Sequence, residues 1–185
     1  MSRGFAWSTE LALRQLQPVV RLPAELQRLA AAAVAAQRHA YCPYSSFGVG
    51  AALLHPPSAA APSQLDITVG CNYENCTLQS CCAERCAIVK ANVEGRRTAL
   101  AVAVYGRAVG GAEADGGRTC PPCGLCRQLL VEVADLSDNF DSFQVVLVAA
   151  DAQQALVVPL ADLLPMKFGP ADVGMDLGPL RGAPA

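Results

Sequence analysis

Apolar positions after Pro23 recur at helical spacing: Leu26, Leu29, Ala30, Ala33, Val34 and Ala40. With Pro23 suited to a helix start, this predicts a first helix over Ala24–His39. Tyr41–Ser46 is turn chemistry. Phe47–Leu54 reads as a strand with glycines at 48 and 50, where a backbone or a ligand can come close. The proline- and alanine-rich stretch His55–Ser63 predicts a hairpin loop, and Leu65–Tyr73 the returning strand. A helix over Cys82–Val93, closed by Gly95, precedes a buried strand over Ala99–Tyr105 and a loop over Gly106–Gly117. Leu125, Leu129, Leu130 and Val133 then place a helix over Cys123–Ala134. Strands at Gln144–Ala149 and Leu156–Val158 and a short helix around Leu160–Leu164 complete the set. Such an order predicts an α/β domain, a mixed sheet with helices on its faces. The expected organisation is one domain over 23–175, a poorly ordered extension over 1–22 and a flexible tail over 176–185.

Composition narrows what this domain can do. At 185 residues the chain can bury a core without disulfide staples. Of its 52% hydrophobic residues, 33 are alanine, so close helix packing is expected in place of a bulky core. The net charge is −2, with only two lysines and no basic run, which argues against a polynucleotide partner. No stretch nears the roughly 18 apolar residues of a membrane span. The terminus lacks a secretory pattern, which points to the cytoplasm, although Ser2, Arg3 and a late first acidic residue leave organelle targeting open.

The nine cysteines carry the most information. An odd number without a secretion signal favours metal or catalytic chemistry over a disulfide framework. Cys123-Gly-Leu-Cys126 sets two thiols at a helix start, where the helix dipole favours the thiolate that a metal requires. Cys82-Ala83-Glu84-Arg85 opens a second helix and supplies both a third ligand and an acid. Three protein ligands leave tetrahedral zinc a position for water, and a ligand-x-Glu followed by Pro-Cys-x-x-Cys is a signature of zinc deaminases. A ferredoxin-type cluster would want a cysteine at position 130, which is Leu130. A thioredoxin-like pair leaves Cys82-Ala83-Glu84 unexplained. A structural zinc site with Cys81, Cys86 or Cys120 as fourth ligand is the strongest competitor. Cys42, Cys71, Cys76, Cys81, Cys86 and Cys120 otherwise read as small buried hydrophobes, and His39 and His55 receive no chemical role.

These motifs, with Tyr41-Cys-Pro-Tyr-Ser45, Phe47–Leu53, Gly70–Asn75, Pro122–Gln128 and Leu163–Pro170, resemble the small, homotetrameric cytidine deaminases that act on free nucleosides. The resemblance implies a three-layer α/β/α sandwich around a five-stranded mixed sheet, with one Zn²⁺ per subunit. It implies hydrolytic deamination of cytidine and 2′-deoxycytidine in pyrimidine salvage. Cys82, Cys123 and Cys126 correspond to the zinc ligands and Glu84 to the catalytic acid/base. Asn72 and Glu74 correspond to ribose-binding residues, Phe47 to a wall of the base pocket, and Ala83 to a backbone contact with the pyrimidine carbonyl. Phe168 corresponds to an aromatic side chain reaching a neighbouring subunit's site. Arg85 and Arg127 each follow a ligand, and hydrogen bonds from them to the thiolates would offset the net −1 of zinc with three thiolates. The Asn75–Cys81 segment is one residue shorter than the family spacing. The competing function is an inactive, structural-zinc relative acting as an interaction protein.

Overall fold

Alternation along the central strands decides the layering. In the computed structural model, which describes residues 5–7, 11–57, 65–77, 79–110 and 117–181, ten strands and α-helices follow one another. These are β1 (Leu16–Pro18), α1 (Ala24–Gln37), β2 (Phe47–Leu54), β3 (Ile67–Cys71), α2 (Ala83–Val93), β4 (Ala101–Ala108), α3 (Gly124–Leu136), β5 (Gln144–Val148), β6 (Gln154–Pro159) and α4 (Leu160–Leu163). Ala101, Ala103 and Tyr105 of β4, with Val146 and Val148 of β5, bury against Leu26, Leu29, Ala30 and Ala33 of α1. The intervening Val102, Val104, Val145 and Leu147 bury on the opposite face against Ala83, Ala87 and Ala91 of α2 and Leu130, Val131 and Ala134 of α3. One sheet therefore lies between α1 and the α2–α3 pair, a three-layer sandwich.

Alanines make the layers close. The methyls of Ala51, Ala52, Ala83, Ala87 and Ala103 are fully enclosed, and two glycines bring helices closer still. A methyl on Gly50 would overlap the backbone of α1 at Ala33 and Gln37, and one on Gly70 would overlap the Ala83 carbonyl and Ala87 amide of α2. The Gly70 overlap is with backbone, which cannot rotate away. Gly70→Ala should therefore displace α2 from the sheet, at about 1–3 kcal/mol for overpacking. That is about 2–12 °C in Tm for a domain of this size, readable by thermal denaturation.

The strand order is β1-β6-β5-β4-β2-β3. β4 and β5 pair in parallel, and the other neighbours are antiparallel. Six strands replace the expected five, because Leu16–Pro18 pairs with Gln154–Leu156 at the outer edge of β6. Segment 11–22 carries this strand. It covers a sheet edge whose backbone groups need partners: Arg14 N–H donates to Val157 O and Val19 N–H to Gln153 O, each at 2.8 Å. Leu11, Leu13 and Val19 pack on the α1-side core, and the Arg14 guanidinium grips both carboxylate oxygens of Asp162 at 2.6 and 3.0 Å. Residues 178–180 form a 3₁₀ turn, Leu180 O accepts from Arg97, and Arg181 donates to Asp138. Positions 58–63 of the hairpin loop and 111–116 of the glycine-rich loop lie outside the described residues, and β4 runs three residues past Tyr105 to Ala108.

The topology also gathers the motifs. β2 is antiparallel to both β3 and β4, so these two strands end at the same edge of the sheet. The helix following each, α2 and α3, consequently starts at that edge, and so does β2 with Phe47. This is where open α/β sheets present their ligand sites.

Candidate functional site

Cys82 and Cys123 are the N-cap residues of α2 and α3, both in extended backbone conformation, and Cys126 lies in the first turn of α3. Their sulfurs all lie within 4.8 Å of one another, the one group of this kind among the described residues. The Cys82 and Cys123 sulfurs are 3.8 Å apart. Tetrahedral zinc with sulfur bonds of about 2.3 Å requires sulfurs about 3.8 Å apart, so the donors fit the metal.

The electrostatics describe a site shaped for a cation. Burial, followed by the hydrogen bond to Cys123, raises the pKa of the Cys82 thiol. Burial and the charge of Glu84 raise that of Cys126. At Cys123 burial also opposes ionisation, but donation from the Cys126 N–H, the Cys126 thiol and the Cys82 thiol outweighs it and lowers the pKa. One thiolate is thus supported by its surroundings. The other two need an added positive charge, and a dication supplies it.

Glu84, the second residue of α2, is 3% exposed. Burial raises its pKa, against the opposing pull of its own N–H, the Cys126 thiol and Arg85. A carboxyl group held in this way beside a metal site suits a group that both accepts and returns a proton. Ala83 is fully buried at the first helical position, where N–H groups have no intrahelical acceptor.

Asn72 and Glu74 lie just past β3 and face the start of β2. The Asn72 amide accepts from Val49 N–H at 2.8 Å and donates to Phe47 O at 2.9 Å. The Glu74 carboxylate accepts from the Tyr44 and Ser45 N–H groups at 2.9 and 3.1 Å. The Ser45 hydroxyl, followed by these backbone donors, holds Glu74 below its ordinary pKa despite burial. A carboxylate with a depressed pKa stabilises the fold above its unfolded pKa, and the contribution disappears as pH falls through the folded value. Glu74→Gln should therefore flatten the acid limb of a stability–pH curve while changing Tm least at low pH.

Phe47 is 38% exposed, and its ring edge lies against Gly106. A methyl on Gly106 would sit 2.9 Å from the Cys120 sulfur and 3.0 Å from the Phe47 ring. Cys120, read from sequence as a bystander, therefore flanks the site; its pKa is raised by burial and by the charges of Glu84 and Cys82. Its type gave no signal of this, and only its spacing of three residues from Cys123 hinted at it.

The two arginines part company. The Arg85 guanidinium donates to Ser80 O and lies beside the Cys81 thiol, in the field of Cys82 and Cys126, with its buried Nε unpaired. Arg127 donates to Pro122 O at 2.8 Å and Leu163 O at 3.0 Å. It braces the backbone ahead of Cys123 and makes no bond to a thiol. Phe168 is 66% exposed, and its carbonyl accepts from Gln128 of α3 at 2.7 Å. His55 is buried away from the cluster, its Nδ1 bonded to Thr98 O at 2.8 Å.

Residues 23–137 match the family model for the cytidine and deoxycytidylate deaminase zinc-binding region. The chain is 37% identical to a cytidine deaminase of Halalkalibacterium halodurans over 80% of its own length and 96% of that protein's. Among solved structures it resembles a cytidine deaminase from Burkholderia pseudomallei, with a TM-score of 0.60 and 34% identity over 77% of this chain and 98% of that one. It also resembles one from Mycobacterium tuberculosis, with a TM-score of 0.54 and 28% identity over 77% and 96%. With this match, a three-thiol cluster fitted to zinc and the shared fold, the chain belongs to the cytidine deaminase family of zinc hydrolases.

Proposed function

We propose that the protein hydrolyses free cytidine and 2′-deoxycytidine to uridine and 2′-deoxyuridine with release of ammonia, in pyrimidine salvage. The observation that carries this reading is the buried Glu84 carboxyl beside three cysteine sulfurs that leave a tetrahedral metal one position open. A structural site would close that position. The thiols of Cys81, Cys86 and Cys120 lie outside the cluster. Zinc bound there supplies Lewis acidity that ionises water near neutral pH.

The chain's own groups do the rest. Glu84 accepts the water proton and passes it to N3 of the pyrimidine, which makes C4 electrophilic. After the water oxygen has added at C4, Glu84 moves a second proton to the exocyclic amine, which departs as ammonia. The Ala83 N–H donates to the pyrimidine carbonyl, and the Phe47 ring lies along the base. Asn72 and Glu74 each retain unused hydrogen-bonding capacity for the ribose hydroxyls, while the bonds they already make fix the Tyr44–Val49 backbone. Of the two proposed charge-withdrawing arginines, Arg85 keeps that role through its field, and Arg127 acts by bracing the turn before Cys123. Exposed Phe168 reaches a neighbouring protomer's site in a homotetramer. Nine unbridged cysteines suit a reducing cytosol, and no described helix is long and apolar enough to cross a membrane.

Zinc-loaded protein should convert cytidine and deoxycytidine to the uracil nucleosides with one ammonia per turnover, and leave deoxycytidylate and cytosine in an RNA oligonucleotide largely unchanged. Full zinc content with no nucleoside turnover would overturn the reading in favour of a structural-zinc relative.

A further inference from the structure

The start of α2 carries a pair of thiols that the deamination does not use. Cys81 is the residue before the N-cap, and Cys86 is the fourth residue of the helix. Side chains at these two positions meet across a helix start and commonly form an apolar staple. Here both are sulfur. The Cys86 sulfur is 3.9 Å from Cys81 O, and burial, followed by the neighbouring Cys81 thiol, pushes the pKa of the Cys86 thiol up to about 12. Both residues are partly exposed. The backbone beneath them is fixed: Cys81 exchanges two 2.9 Å hydrogen bonds with Tyr73, and Cys86 N–H donates to Cys82 O at 3.0 Å. Neither sulfur belongs to the three-thiol cluster.

We propose that Cys81 and Cys86 form a reversible disulfide site, bridging on exposure to a low-molecular-weight disulfide while Cys82, Cys123 and Cys126 remain on zinc. The clause about zinc rests on the metal site described above. In the first step the Cys81 sulfur attacks one sulfur of the small disulfide, whose S–S bond breaks and releases one small thiol. In the second, Cys86 attacks the mixed disulfide at the Cys81 sulfur and releases the other. One small disulfide becomes two thiols, and they carry the protons given up by the two cysteines. Geometry directs the reaction to this pair. The Cys82 sulfur faces Cys123, and the Cys71 thiol donates to His39 O at 3.3 Å. The bridge would tie the strand end bearing Asn72 and Glu74, through the Tyr73–Cys81 pairing, to the helix turn bearing Cys82 and Glu84.

The experiment treats zinc-loaded protein with glutathione disulfide, blocks free thiols and digests with trypsin and chymotrypsin. Cleavage after Leu78, Arg85 and Lys90 places Cys81 in Gln79–Arg85 and Cys86 in Cys86–Lys90. The expected result is these two peptides joined, an intact chain lighter by two hydrogens, zinc unchanged and reversal by dithiothreitol. Cys86→Ser should lose the joined species and hold one glutathione on Cys81. Cys81→Ser should also lose it, which separates Cys81 from Cys82 in the same peptide. A join that survives Cys81→Ser, a join of Cys86–Lys90 to a peptide carrying Cys71 or Cys76, or oxidation matched by zinc loss would overturn the proposal. So would a pair left reduced while exposed Cys76 takes up glutathione. Zinc measured before treatment tests the metal site separately, because a zinc-free starting protein refutes that reading whatever the thiols do.

Discussion

Glu84→Gln should keep its zinc and its melting temperature and lose about 10²–10⁴-fold in turnover, the usual contribution of a positioned general acid–base. The substitution preserves the shape of a side chain that is 3% exposed and removes a charge that burial already disfavours, so the fold is not penalised. What disappears is the group proposed to move a proton between water, N3 and the leaving amine. Glu84→Asp offers a second measurement. It keeps the acid but withdraws it by one methylene, and a displacement of about 1 Å costs on the order of 10²-fold. Steady-state turnover with metal analysis on both variants checks the role, and turnover retained in Glu84→Gln would remove Glu84 from the mechanism.

Cys126→Ser has a comparably large effect by another path. Cys126 is fully enclosed, and a serine hydroxyl there is a poor zinc ligand, so zinc content should fall well below one per chain and turnover with it. The parent protein gains stability from the metal by mass action. Zinc at about 100 times its dissociation constant adds about 2.7 kcal/mol, or about 5–11 °C in Tm, and Cys126→Ser should lose this zinc-dependent increment. The pH dependence follows from the thiols. Cys82 and Cys126 have raised pKa values without the metal, so zinc binding displaces protons and the affinity weakens as pH falls. Zinc occupancy against pH in a competing chelator measures this, and full occupancy in Cys126→Ser would contradict the ligand assignment.

Local patterning reported the elements well where side chains alternate or recur on one face. α1, β2, α2 and α3 lie where their periodicity puts them, with Cys82 and Cys123 one residue ahead of their helices as caps. It failed where a segment is ordered by a partner distant in sequence. Residues 16–18 are too short to show a strand period and become one only because β6 has a free edge. Arg127 failed for a related reason. Its place next to Cys126 suggested a bond to sulfur, but on a helix successive side chains diverge, and its guanidinium reaches Pro122 O and Leu163 O.

The amino-acid order by itself determined the chemistry available: two helix starts bearing cysteines, an acid two residues after one of them, and an amide–acid pair upstream. Spacing along a helix is local and therefore legible. Only the tertiary structure decided that these groups form one site. The antiparallel placement of β2 between β3 and β4 brings the starts of α2 and α3 to one edge, and Gly70 lets α2 approach the sheet closely. The same packing leaves Cys82, Cys123 and Cys126 at metal-binding separation and encloses Glu84. Those outcomes depend on backbone approach between segments far apart in sequence, which no local pattern encodes.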